Sequence, residues 1–181
     1  MTTIYTIGHS NHSTERLVEL LRAAGVTAVV DVRSAPYSRY NPQFNRSSLE
    51  TLLARHQVSY AYAGKYLGGR PRDPTCYRSG SLPDEEVDYL HEVDYPAVMQ
   101  RDWFLKGIKR LLEMAETDAA AVLCSEEDPA QCHRHHLIAR YLLANHPEIA
   151  VRHIRGDGTV FAAGTILKSV DVPNITQQTL F

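Results

Sequence analysis

Short apolar runs alternating with segments of helical spacing set what this chain can fold into. The runs span residues 3–7, 27–32, 58–62, 119–124 and 150–154, and β-branched or aromatic side chains dominate most of them. Each is too short for a stable helix and long enough for a strand. After the first run, Ser13 can cap a helix whose apolar face is Leu17, Leu20, Leu21 and Ala24, closed by Gly25. Ser47 or Ser48 can start another, carrying Leu49, Leu52 and Leu53. Two helical segments fill residues 84–116, and a last helix runs from about Cys132 to Asn145 with Leu137, Ile138, Tyr141 and Leu142 on one side. Strands in alternation with helices predict a single α/β domain over residues 1–169, built on a mostly parallel, Rossmann-like sheet with helices on both faces. The Gly/Pro/Arg-rich residues 64–83 read as a long functional loop or a mobile lid, and residues 170–181 as a flexible tail.

Composition narrows the function classes. A formal charge of −2 over 181 residues forces neither a nucleic-acid nor a membrane reading. No apolar run approaches the ~20 residues needed to cross a bilayer, and residues 1–7 lack the basic start of a signal peptide. Three cysteines make no disulfide scaffold. The expected location is the cytoplasm, with reduced thiols and no membrane partner. Charge is unevenly spread, however. Residues 33–80 hold eight basic residues against Glu50 and Asp73, a net of +6 that leaves −8 elsewhere, and the same stretch holds seven aromatic residues. Cations interleaved with aromatic rings suit a polyanion with stackable bases, or a solvated surface.

The densest chemistry lies in Leu123-Cys-Ser-Glu-Glu-Asp-Pro-Ala-Gln-Cys-His-Arg-His-His136, between an apolar strand and an amphipathic helix. Other polar residues also follow predicted strands: His9 and Ser10 after the first, Asp31 and Arg33 at the end of the second, Arg70 soon after the third. In a parallel sheet these carboxyl ends share one edge, where a crevice forms. Cys132, at a predicted helix start beside His133 and Arg134, is a candidate nucleophile or anion-binding corner, or a packed thiol. Cys124 reads as packed. His9, Ser10, Glu126, Cys132 and His133 form the candidate catalytic set, with Glu126 the preferred acid–base carboxylate. Arg33, Arg39, Arg70 and Arg134 could grip phosphate, and Asp31 could orient Arg33 or His9. No metal is assigned and no cofactor is implied. Cys124, Cys132 and His136 are weak metal candidates, because the Cys-x7-Cys spacing matches no familiar zinc pattern.

The motifs Thr6-Ile-Gly-His-Ser-Asn11, Asp31-Val-Arg-Ser34, Ser38-Arg-Tyr-Asn-Pro-Gln-Phe-Asn45, Gly68-Gly-Arg70 and Leu123-Cys-x-Glu-x-Asp-Pro-x-x-Cys-His-Arg134 resemble those of the domain-of-unknown-function family 488, over about residues 4–155. That resemblance implies an α/β domain with a catalytic or ligand site around the His-Ser and Cys-His-Arg segments, and it brings Tyr40 and Asn41 into the candidate substrate-binding set. It implies no reaction. A weaker similarity to rhodanese-like and cysteine-phosphatase domains rests on the Asp-Val-Arg strand end and the strand–Cys–loop–helix order. The short Cys-x5-Arg anion loop of those domains is missing.

The final residues, Gln177-Gln-Thr-Leu-Phe181, resemble the bacterial sliding-clamp-binding pentapeptide. In that reading Leu180 and Phe181 fill an apolar pocket and Gln177 makes polar contacts. The leading expectation is a cytosolic bacterial enzyme acting on DNA or a nucleotide-like phosphate-bearing substrate, recruited by the sliding clamp. The alternatives are a cysteine-dependent small-molecule enzyme and a non-enzymatic adaptor with a structural Cys/His site. Oligomeric state is not legible.

Overall fold

The computed structural model describes residues 2–84 and 87–166. Its centre is one six-stranded sheet, with strands β1 (Thr2–Gly8), β2 (Ala28–Asp31), β3 (Ser59–Tyr62), β4 (Ala120–Cys124), β5 (Ile149–Ile154) and β6 (Val160–Ala162). Their order is β3-β2-β4-β1-β5-β6. The first five are mutually parallel and β6 pairs antiparallel with β5. The mostly parallel α/β fold read from the alternating pattern is therefore the fold of the chain. β6 carried no sequence signal: it is three residues long, largely solvent-facing, and held by its pairing with β5.

Strand pleating divides the apolar residues between two cores. Along β4, Ala120, Val122 and Cys124 face one side, while Ala121 and Leu123 face the other. Helix α1 (Thr14–Ala23) and helix α2 (Arg46–Arg55) cover the second side through Leu17, Leu20, Leu21, Leu49 and Leu53. Ser13 caps α1 by accepting the N–H of Arg16. On the opposite side lie the short α3 (Gly64–Leu67), α4 (Tyr89–Glu92) and α5 (Tyr95–Met99), the long α6 (Asp102–Thr117), and α7 (Arg140–Asn145). Phe104, Ile108 and Leu111 of α6 pack there with Leu137, Ile138 and Leu142. Among the described residues no helix is long and apolar enough to cross a membrane.

Two expectations change. Residues 64–83 are not a free loop throughout: Leu67, Cys76 and Tyr77 are buried in the core and the Tyr77 hydroxyl donates to the Pro71 carbonyl, while residues 78–82 are exposed. The Gly and Pro content there serves close packing of α3 and a 3₁₀ turn at Pro74–Cys76. The helix expected from Cys132 instead begins with a π-helical stretch, Arg134–Ala139, before α7. Single π turns have no composition signature and recur at functional sites.

Candidate functional site

All five parallel strands end on one edge, and β2, β4 and β1 lie side by side there. Gly8 pairs with Cys124 and Asp31 with Leu123, so the loops after these strands start level with one another. Pairing continues beyond the ladder: the N–H of His9 bonds the Cys124 carbonyl at 3.0 Å and that of Ser10 the Ser125 carbonyl at 2.8 Å. Ser10 takes a left-handed backbone, φ 47°. A side chain at Gly8 would collide with the Glu126 carbonyl, so glycine there lets the β1 and β4 loops touch.

A cleft of about 390 Å³ opens above this edge. Its floor is Cys124, Ser125, Glu126, Cys132 and His133, and its walls are Arg33, Ser34, Tyr37, Ser38, Gly69 and Arg70 on one side and Asp88, Tyr89 and Tyr95 on the other. The floor is tightly knit. Both thiols reach the same carboxylate oxygen, Oε2 of Glu126, Cys124 at 3.0 Å and Cys132 at 3.2 Å. His133 Nδ1 lies 3.6 Å from the Cys124 sulfur and 3.9 Å from that of Cys132. Cys132 is extended and stands just ahead of the π turn, where its sulfur accepts the Arg134 N–H at 3.4 Å.

Burial opposes a charged thiolate at Cys132. The hydrogen bond from the Cys124 thiol and the charge of His133 outweigh it and hold Cys132 well below the ordinary thiol range. The same hydrogen bond, with burial, pushes Cys124 well up. Burial also works against the imidazolium of His133, but the nearby Cys132 and Glu126 charges leave it raised. The floor thus favours thiolate character at Cys132 beside a His133 made more basic than usual. His133 Nε2 is buried with no hydrogen-bond partner among the described residues. Gly69 presses on this ring: a Cβ there would stand 2.6 Å from the imidazole Cγ.

Other sequence candidates are engaged by the protein itself or stand outside the cleft. Arg33 is buried and held by Asp31 through Nε at 2.9 Å and Nη2 at 2.6 Å, while Nη1 reaches His9 Nε2 at 3.2 Å. Tyr60 donates to the same Asp31 at 2.8 Å. His9 donates from Nδ1 to the Ser10 carbonyl and stacks on Phe44 at 4.5 Å. Burial lowers its pKa to about 4, so it is a neutral acceptor for Arg33 at ordinary pH. Neither His9 nor Ser10 lines the cleft. Arg134 is fully buried. It donates to the Glu126 carbonyl, to the Glu127 carbonyl at 2.6 Å and to Thr6 Oγ1 at 3.2 Å, so it holds the loop instead of offering its charge to a ligand. His136 turns away and donates to the Ala130 carbonyl at 2.7 Å. Arg39 and Tyr40 are exposed, and Asn41, whose N–H bonds the Ser38 hydroxyl, joins them outside the cleft lining.

The cation presented to the cleft is Arg70, which is exposed and lies over the Tyr89 ring at 4.3 Å. Tyr89 and Tyr95 carried no distinguishing sequence signal. They come from the connection between β3 and β4, and tertiary folding alone brings them to the site. Gln177, Leu180 and Phe181 lie outside the described residues.

No match emerged among curated proteins or among solved structures. A family model described as "Domain of unknown function DUF488" matches residues 13–142, a span that runs from the cap of α1 through the cleft floor into α7. By that match the chain belongs to the DUF488 family.

Proposed function

We propose that the cleft is the active site of an enzyme acting on DNA or on a nucleotide-like, phosphate-bearing substrate. The observation that carries this reading is the union, in one cleft, of a phosphate- and ring-binding wall with a reactive floor. Arg70 on Tyr89, the exposed Tyr37 and the hydroxyls of Ser34 and Ser38 form the wall. Cys132, His133 and Glu126 form the floor. A guanidinium beside stacking rings holds a nucleotide by charge and by its π face. Arg39, two residues beyond Tyr37, adds positive charge outside the cleft. Recruitment by the bacterial sliding clamp through Gln177, Leu180 and Phe181 would deliver the enzyme to DNA in the cytoplasm.

The test is equilibrium binding of labelled single-stranded oligonucleotides and nucleoside monophosphates at several salt concentrations. Arg70→Ala should weaken binding and lower the salt slope by about one. Unchanged affinity for every nucleic acid tried, or no affinity in the intact protein, sinks the reading. Clamp recruitment is tested separately by titrating the sliding clamp with the full chain and with a chain lacking Leu180-Phe181; binding should vanish on truncation.

A second reading, a cysteine-dependent small-molecule enzyme, draws on the contact between Cys132 and His133. It predicts rapid alkylation of Cys132, slowed by thiosulfate or phosphate analogues. The inward aim of Arg134 counts against an arginine-cradled phosphatase loop.

A further inference from the structure

We propose that Cys124, Cys132 and His133 bind a thiophilic divalent cation, zinc foremost, in the floor of the cleft. This deepens the reading of the same site, because it makes a bound cation the chemical centre that the nucleotide-binding wall serves.

The geometry comes first. The two sulfurs and one imidazole nitrogen lie within 4.8 Å of one another. The sulfur–nitrogen separations are 3.6 and 3.9 Å. Tetrahedral zinc bound at about 2.3 Å to sulfur and about 2.0–2.1 Å to nitrogen sets neighbouring donors roughly 3.6–3.8 Å apart. The free side chains therefore already stand near coordination spacing. Two thiolates and an imidazole are a soft donor set, which selects zinc over magnesium or calcium.

The sequence spacing concealed this set. Cys132 and His136 would share a helical face if the helix began at Cys132, but Cys132 is extended and His136 is bonded to the Ala130 carbonyl. The third donor is instead the adjacent His133. Cys124 is fixed by the end of β4, and the loop between the cysteines is pinned by Arg134 at both the Glu126 and Glu127 carbonyls. Metal binding thus needs little rearrangement.

A further observation points to a ligand. The two sulfurs converge on one oxygen of the Glu126 carboxylate, a crowding of acidic groups that a dication relieves. Three protein ligands would leave a fourth position, as in catalytic zinc sites, and Glu126 lines the cleft together with all three donors. That position accepts water or a substrate oxygen, with the Glu126 carboxylate beside it to accept a proton.

The experiment uses the purified full-length chain, stripped with chelator and titrated with zinc and, separately, cobalt. One equivalent of each should bind, and cobalt should give the sulfur-to-metal absorption and strong visible bands of a tetrahedral thiolate site. Cys124→Ser, Cys132→Ser and His133→Ala should each weaken zinc binding on the order of a hundredfold or more, while Cys76→Ser leaves it unchanged. For the wild-type chain, where misfolding of a variant plays no part, bound zinc should protect Cys124 and Cys132 from alkylation and chelator should remove that protection. No zinc binding by the wild type, or alkylation of both cysteines unaffected by zinc, overturns the proposal. A protein that binds zinc but no nucleic acid retains this site and loses the substrate reading above; one that binds nucleic acid but no zinc does the reverse.

Discussion

Two polar clusters lie within a few residues of each other in this molecule, and they are built on opposite terms. One is a closed chain. Arg134 Nε donates to Thr6 Oγ1; the Thr6 hydroxyl shares a hydrogen bond with His153 Nδ1 at 2.7 Å, and His153 Nε2 shares one with His135 Nδ1 at 3.0 Å. Each partner supplies what the next one needs, and every member is buried. The other is the cleft floor, where two cysteine sulfurs converge on one carboxylate oxygen and an imidazole nitrogen has no partner among the described residues. A matched buried network is structural, because its polar groups satisfy one another. An unmatched one at the base of a cleft is held ready for something that arrives from outside. Arg134 joins the two, since its side chain serves the first and its backbone N–H bonds the Cys132 sulfur of the second.

That contrast can be attacked directly. The largest effect belongs to Arg134. Arg134→Leu removes a fully buried side chain, takes one of two partners from Thr6 and leaves two loop carbonyls without its hydrogen bonds; stability should fall by about 3–5 kcal/mol in chemical denaturation. A loss below about 1 kcal/mol would show that the closed chain is not structural.

Acid comes next. Burial, followed by neighbouring positive groups, lowers His153 to about 3 and His135 to about 4. Unfolded histidines take up protons as pH falls through about 6.5, while the folded ones stay neutral until about 4 or 3. Stability is therefore full above pH 6.5 and declines as pH falls from there toward 3, by up to about 1.4 kcal/mol per pH unit for each histidine. Denaturation midpoints across that range check the slope, and His153→Phe should flatten it while costing about 1–3 kcal/mol at neutral pH for the partners left unpaired.

Cys132→Ser should behave in the opposite way. It keeps the shape of an already unmatched cluster, so stability should change by less than about 1 kcal/mol while turnover of any substrate falls at least a hundredfold. A large stability loss with activity retained would make the floor structural too. The smallest stability effect is expected at Arg70, whose exposed contact with Tyr89 contributes about 0.5–1 kcal/mol; its removal should be read in ligand affinity, not in melting.

The comparison also shows what sequence can reveal. The parallel strands were legible because each is a local apolar run, and their shared carboxyl edge followed from topology alone. The gathering of Glu126, Cys132 and His133 was legible because they are neighbours in sequence. The division of labour was not. Arg33, Arg70 and Arg134 look equivalent as letters, yet Arg33 is taken by Asp31 two residues away, Arg134 by Thr6 across 128 positions, and only the third faces the cleft with its charge uncommitted to a carboxylate. Likewise His9 reads as a reactive loop histidine until Phe44 and Arg33 are seen to enclose it. Burial of this kind depends on distant residues, and no local pattern encodes it.

The π stretch at Arg134–Ala139 has a consequence for how the chain can change over time. Its hydrogen bonds span five residues where those of the α-helix that follows span four, so the stretch takes up one extra residue. Rewinding the same six residues as ordinary α-helix would swing everything upstream by about 100° around the axis. The buried anchors Leu137 and Ile138 would stay seated while Cys132 and His133 turned away from Cys124. The helix would still fold, but its two ends would no longer agree on where the cleft lies. The extra residue and the π winding therefore have to be kept or lost together, so a descendant that is one residue shorter here should be wound as plain α-helix and still present the same floor.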